Sequence, residues 1–142
     1  MWEKSLSGVS HLIYRKNVWS LITDIDHWSL WDFNIEYSKY NNRRLSPNST
    51  FVVKHRNFLK VNGIVEENRT YEYFSFRIDL LAAKLYRKYL LEDTAEGLKI
   101  TVTTSISGFL SWLWKYIVGI KILSYTAEDI AIIIENSKQN RK

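Results

Sequence analysis

Side chains that could do chemistry are few and far apart in this sequence. The three histidines, His11, His27 and His55, form no His-x-x-x-His pair, and there is no Cys to complete a zinc set. Without Cys there is also no disulfide framework and no thiol nucleophile. The five glycines stand alone, so no nucleophile elbow, phosphate loop or dinucleotide fingerprint can be assembled. The expectation is therefore no metal and no cofactor. Asp24, Asp26 and Asp32 have the spacing of paired carboxylates for acid-base work, although Asp near helix ends more often caps free amides. What remains is a set of polar or polar-tipped residues inside apolar strand patterns: Tyr37, His55, Tyr73, Arg87 and Tyr89. Such groups orient a ligand when they converge on an otherwise apolar cavity. Lys84, Arg87 and Lys88 fit both strand phases, so Arg87 stands either in that cavity or on the wet face, the commoner place for an arginine.

The elements that must position these groups follow from periodicity. Residues 2–14 show no helical stripe and read as a first strand. After Asn17, a suitable N-cap, Val18, Leu21, Ile22 and Ile25 fall at i, i+3, i+4 and i+7, which predicts a helix over 17–25. The run 26–32, with Asp26 as another cap, continues it at an angle. Six strands follow, at 35–41, 50–56, 59–67, 71–80, 84–92 and 98–107, as an antiparallel meander. Loops are expected at 42–50 and 93–97, and tight turns at 57–58 and 68–70. In the last strand Leu98, Ile100, Val102, Thr104 and Ile106 alternate with polar residues, so one face is buried and the other wet.

Residues 109–136 contain no Pro and read as a long helix, about 42 Å if unbroken. A projection at 100° per residue places Phe109, Trp112, Leu113, Tyr116, Ile120, Leu123, Ala127, Ile130, Ala131 and Ile134 toward the sheet. The opposite face is also apolar, with Trp114, Val118, Ile122, Tyr125, Ile132 and Ile133. Beside Lys115, Lys121 and the basic tail (Lys138, Arg141, Lys142), that face reads either as a surface for anionic lipid or as a dimer face, unless a kink near Gly119 or Ser124 resets the phase. Thr126-Ala127-Glu128-Asp129 matches a capping box, which would break the helix near Ser124. Residues 109–125 are too short, and carry too many lysines, to read as a membrane span.

Composition sets the outer bounds. The chain has 142 residues with 46% apolar and 25% charged, which is one ordinary domain spanning 1–142. Aromatic residues reach 15%, more ring surface than closing the core requires, and so point to a lined cavity or an adhesive face. The net charge of +5 favours anionic partners in general, with most cations, Arg43 among them, scattered. No aromatic-plus-basic motif of a nucleic-acid-binding sheet is present. The first residues lack the charged-then-apolar run of a secretory signal, so the expected location is cytoplasmic.

The order strand, two short helices, six-stranded meander and long terminal helix resembles the START-like superfamily, the polyketide cyclase/dehydrase and lipid-transport group. The carrying residues are Val18-Trp19-Ser20-Leu21-Ile22-Thr23-Asp24-Ile25-Asp26-His27-Trp28-Ser29-Leu30-Trp31, similar to the family's helix-pair signature. Gly63-Ile64-Val65-Glu66, Tyr89-Leu90-Leu91-Glu92 and Ser107-Gly108-Phe109 also fit. The resemblance implies an α+β helix-grip fold, a curved seven-stranded antiparallel sheet around the terminal helix, with an elongated cavity between them. That cavity would take a hydrophobic small molecule: a lipid, quinone, sterol or polyketide-like compound. The expected lining is Trp31, Phe74, Phe76, Tyr89, Trp112, Leu113 and Tyr116, with Tyr37, His55 and Arg87 as polar groups. Carriage is the first reading. A cyclase/dehydrase-like enzyme and a membrane- or protein-docking module are the alternatives, and the family offers no shared catalytic residue to transfer.

Overall fold

The computed structural model describes residues 2–42 and 44–138, with side chains omitted at 119, 120 and 122–124. Arg43, Arg141 and Lys142 lie outside the described residues. Seven strands form one antiparallel sheet: β1 (Trp2–Ser10), β2 (Ile35–Tyr40), β3 (Thr50–His55), β4 (Lys60–Arg69), β5 (Tyr73–Leu80), β6 (Ala83–Thr94) and β7 (Gly97–Ser107), in the order β1-β7-β6-β5-β4-β3-β2. Hairpins join β2 through β7 in sequence, and β1 closes the ladder against β7, from Trp2↔Ile106 to Ser10↔Leu98. Between β1 and β2 stand α1 (Arg15–Thr23) and a 3-10 segment (Ile25–Leu30), the bent pair expected.

The terminal helix comes in three parts: α2 (Ser111–Trp114), a π turn (Lys115–Gly119) and α3 (Ile120–Asn136). It does not break near Ser124, and Thr126 sits within α3 rather than capping it. α3 packs on β1 and β7. Gly8 permits the approach, since a Cβ there would stand 2.6 Å from Ile130 Cγ2. Its C-terminal end is tied down by the Ile13↔Lys138 bridge and by Asn17, whose side-chain amide donates to the Ser137 carbonyl at 3.4 Å.

Asn17 is therefore not an N-cap. α1 starts two residues earlier, with the Val18 amide donating to the Tyr14 carbonyl at 3.1 Å. Asp26 likewise does not cap; its Oδ1 accepts from the Tyr40 backbone amide at 2.6 Å and pins the 3-10 segment to β2. The expected 93–97 loop shrinks to a two-residue turn, because the β6–β7 ladder runs on to Thr94↔Gly97. β4 extends through Arg69, which moves the following turn to 70–72, where Tyr71 takes a positive φ of 67°.

The core lies between the inner sheet face and the helices. Trp28, Phe51 and Phe76 meet with centroids 5.3 to 5.5 Å apart, and Phe74 stacks on Tyr89 at 6.1 Å. Phe51 lies over its cross-strand partner Gly63, where a Cβ would come within 2.1 Å of the ring. Only a residue without a side chain leaves room for that ring.

Candidate functional site

Sheet register sets the inner face row by row. On β6, Leu85, Arg87, Tyr89 and Leu91 are buried in alternation. Across the ladders Leu85 faces Ile78 and Ile106, while Arg87 faces Phe76 and Thr104. Between this face and the terminal helix is a cavity of about 310 Å³. Ile78, Leu80, Leu85 and Val61 make one part of its wall apolar, and Asn57, Phe58, Ile117 and Lys121 also border it.

At the Arg87 row the wall turns polar. Arg87 Nε donates to the Tyr89 hydroxyl at 3.0 Å, Nη1 to the Thr126 and Thr104 hydroxyls at 3.1 and 3.3 Å, and Nη2 to Asp129 Oδ2 at 3.3 Å. Thr126 and Asp129 sit one turn apart on the inward face of α3, so a strand cation meets a helix carboxyl inside the core. Burying such a charge is costly unless it is paired and hydrogen-bonded, and here every nitrogen of the guanidinium has a partner. Burial works against the Arg87 charge, but Tyr89, Asp129 and Asp32 together hold its pKa above the usual value.

Asp32 enters from the end of the 3-10 segment. Its Oδ1 accepts the Asn34 amide at 3.0 Å, which fixes the side chain, and its carboxyl is near enough to Asp129 to act on its charge. Burial first and the Asp32 carboxyl second push Asp129 up to about 7, against the opposing pull of Arg87. Asp129 thus keeps its proton up to near neutrality, next to the Asp32 carboxyl and the Arg87 guanidinium. His55, at the end of β3, borders the same space. Burial lowers its pKa, with Asp32 pulling it up and Arg87 and Lys54 pushing it down, so its imidazole is neutral. Burial raises the Tyr89 hydroxyl, against the pull of Arg87. Trp31 also lines the cavity, and its buried indole N–H has no partner among the described residues. Chemically the site offers two neighbouring carboxyl side chains, a neutral imidazole and a phenol at one end of an apolar chamber.

Solved structures share this architecture. A hypothetical protein from Helicobacter pylori superposes with a TM-score of 0.80 at 16% identity, over 96% of this chain and 88% of that one. The di-domain ARO/CYC StfQ from the steffimycin biosynthetic pathway gives 0.78 at 6% identity, over 95% of this chain and 50% of its own. Ara h 8.0201 gives 0.70 at 13% identity, over 94% and 98%. The chain has the helix-grip fold. No protein-family model and no curated protein matches its sequence. Identities this low establish the fold alone.

Within this helix-grip frame, Trp31, His55, Phe76, Arg87 and Tyr89 meet at the cavity wall. Arg87 is buried on the inner face, not the wet one. Phe74 is buried one row further on, between Tyr89 and Trp19, behind the wall rather than in it. Tyr37 is exposed: the register shift between Ile35 and Tyr37 is a bulge that turns it away while Ile35 stays buried. Tyr73 falls outside the wall, and Arg69 covers its ring at 5.2 Å.

The expected helix phase is corrected. Trp112 and Tyr116 are 60% and 64% exposed, and neither they nor Leu113 line the cavity. Phe109, Ala127 and Ala131 also face out, while Ile130 is buried as expected. Val118 and Tyr125, placed by the projection on the outer face, border the cavity instead. From the same face, Ile133 is fully buried and Trp114 packs against the core, with its indole N–H donating to the Leu81 carbonyl at 2.8 Å. The Ile120, Ile122 and Leu123 side chains lie outside the described residues. Sequence reasoning did not anticipate Thr104, Thr126 or Asp129 as site residues. A signal was present: the Thr-x-x-Asp pattern read as a cap is a polar patch on an apolar helix, and it needs a polar partner across the core.

Proposed function

We propose that this protein binds and carries a hydrophobic small molecule in the cavity between the sheet and the C-terminal helix. The observation that carries the reading is a largely apolar chamber of about 310 Å³ with its buried polar groups gathered at one end. That volume is at the lower limit of the roughly 300–1,000 Å³ usual for ligand pockets, and suits a compact ring system better than a long-chain lipid. Arg87 directs Nε, Nη1 and Nη2 to protein acceptors, so it presents no free fork to a carboxylate ligand, and the two carboxyls beside it disfavour one. The ligand is therefore a neutral quinone-, sterol- or polyketide-like molecule whose hydroxyl or carbonyl meets Asp32, His55 and Asp129.

A second reading rests on the carboxyl pair. Two carboxyl side chains on one wall, Asp129 with its affinity for a proton raised, can take a proton from a bound carbonyl compound and return it elsewhere, a cyclase- or dehydrase-like reaction. The fold shared with StfQ is compatible with it.

Native mass spectrometry of the purified protein, followed by organic extraction, tests the first reading. A neutral apolar compound should co-purify, and the uncharged dye Nile red should compete for its site in the stripped protein. Leu85→Phe and Val61→Phe, which fill the apolar wall, should lower binding without loss of folding. A protein that carries nothing and binds no probe refutes it. If the extracted compound is converted on incubation, and Asp32→Asn stops the conversion, the enzyme reading takes its place.

A further inference from the structure

The rings turned out of the core gather at one end of the domain. Three segments meet there, as the Leu110 amide donating to the Ala82 carbonyl, the Trp114 indole bonded to Leu81 and the Phe58–Trp114 ring contact at 6.4 Å all show. Together they hold large apolar side chains in water: Phe109 at 86%, Leu81 at 76% and Leu59 at 72% exposure, with Trp112, Tyr116 and Ile117 beside them. Scattered exposed apolar residues need no explanation, but a contiguous group of this kind marks a contact surface. Its charge is one-sided. Segments 56–60, 81–83 and 108–121 carry Arg56, Lys60, Lys115 and Lys121 and no acidic residue. The Lys115 ammonium lies 4.8 Å from the Tyr116 ring centre, a cation set directly beside an aromatic. Asp79, on the hairpin that leads to Leu81, is held by Arg77 at 3.0 Å. Phe58, Asn57, Ile117 and Lys121, from the same segments, also border the cavity.

We infer that this end of the domain docks on an anionic lipid bilayer, with Phe109, Trp112, Leu81 and Leu59 entering the interfacial region and the surrounding cations meeting lipid phosphates. Aromatic and aliphatic side chains ringed by lysines, without acids, are the composition that interfacial binding rewards. No span is involved: among the described residues no helix is long and apolar enough to cross a membrane. Docking there sets the cavity-bordering segments against the lipid, so a hydrophobic ligand would pass between bilayer and chamber with little exposure to water. The membrane contact itself needs no bound ligand and stands or falls separately from the carrier reading.

Vesicle flotation with the intact, ligand-stripped protein tests it, using phosphatidylcholine alone and phosphatidylcholine mixed with phosphatidylglycerol. Binding is expected to the mixed vesicles, to weaken with added salt, and to be slight on the neutral ones. Phe109→Ser with Trp112→Ser should reduce binding at least ~10-fold, since most of the inserted ring surface is removed. Lys60→Glu with Lys115→Glu should abolish the preference for anionic vesicles. Leu30→Ser, an equally exposed apolar site beside Asn136 near the far end of α3, should change nothing. Melting curves confirm that each variant is folded, and if the double serine variant melts early the charge variant decides alone. Absence of binding, equal binding to both vesicle types, or indifference to the charge variant overturns the inference. So does a dimer in light scattering that the serine variant splits, because a second copy would then cover the patch.

Discussion

Asp129→Asn isolates the energetics of the polar end. Folding lifts the Asp129 carboxyl from 3.8 to about 7, chiefly by burial and then through Asp32. An acid that holds its proton more tightly when folded stabilises the fold at low pH. That contribution is complete below the unfolded value and is lost as pH rises through the folded one. A rise from 3.8 to about 7, at about 1.4 kcal/mol per pH unit, is of order 4 kcal/mol, of which the stretch from about pH 5 to pH 8 covers roughly 3 kcal/mol. For a chain of this length that is on the order of 8 °C in Tm. His55 works in the opposite sense: its lowered pKa withholds stability at acid pH, and the effect ends once pH passes its unfolded value of 6.5. Exposed His27, raised by its hydrogen bond to Asp24, loses its small contribution above 6.5. The difference between wild type and variant cancels both. Asparagine keeps an oxygen to accept from Arg87 Nη2 and removes the titration. Thermal melts across this range should show wild type losing about 8 °C more than the variant. Parallel curves, or a wild type that gains on the variant as pH rises, would refute the reasoning.

Arg87→Met at pH 8 should cost about 3–5 kcal/mol in urea denaturation, because Asp129 and the two threonine hydroxyls lose their shared donor inside the core, and the cost should shrink at pH 5, where Asp129 is neutral. Gly63→Ala should lose about 1–3 kcal/mol, because the fully buried Phe51 ring has no room to move away from the new methyl; an unchanged urea midpoint would show that the sheet relaxes freely there. Trp112→Ala should alter stability by no more than about 0.5 kcal/mol and leave the affinity for the co-purified ligand unchanged, whereas Phe76→Ala, in the cavity wall, should cost about 3–5 kcal/mol and change that affinity.

The fold was legible because its signals are local and repeated. The alternation Leu98, Ile100, Val102, Thr104, Ile106 fixes which face of β7 is buried, and the change of period after residue 14 and again after residue 108 marks the helical segments. Boundaries were less legible, because caps depend on contacts made elsewhere: Asn17 reaches Ser137 and Asp26 reaches the Tyr40 amide, neither of which local sequence reveals. Tyr37 was misplaced because a bulge adds one residue to a strand without any mark in its hydrophobic pattern.

The helix phase failed for a different reason, and that reason bears on the site. Both faces of 109–134 are apolar, so hydrophobic burial alone cannot choose between them, and counting the largest rings chose the wrong one. Polarity decides. Arg87 is on an inward strand position, and its charge is tolerable there only against a carboxylate with hydrogen-bonding neighbours. On α3 those are Asp129 and Thr126, and Val118, Tyr125 and Ile133 lie on the same face at helical spacing. Turning that face inward satisfies the guanidinium and leaves Phe109, Trp112 and Tyr116 in water. The buried ion pair lies after the π turn at Lys115–Gly119, whose wider winding shifts the helix phase relative to the exposed aromatic end before it, so Ile130 is buried although Trp112, on the same projected stripe, is not.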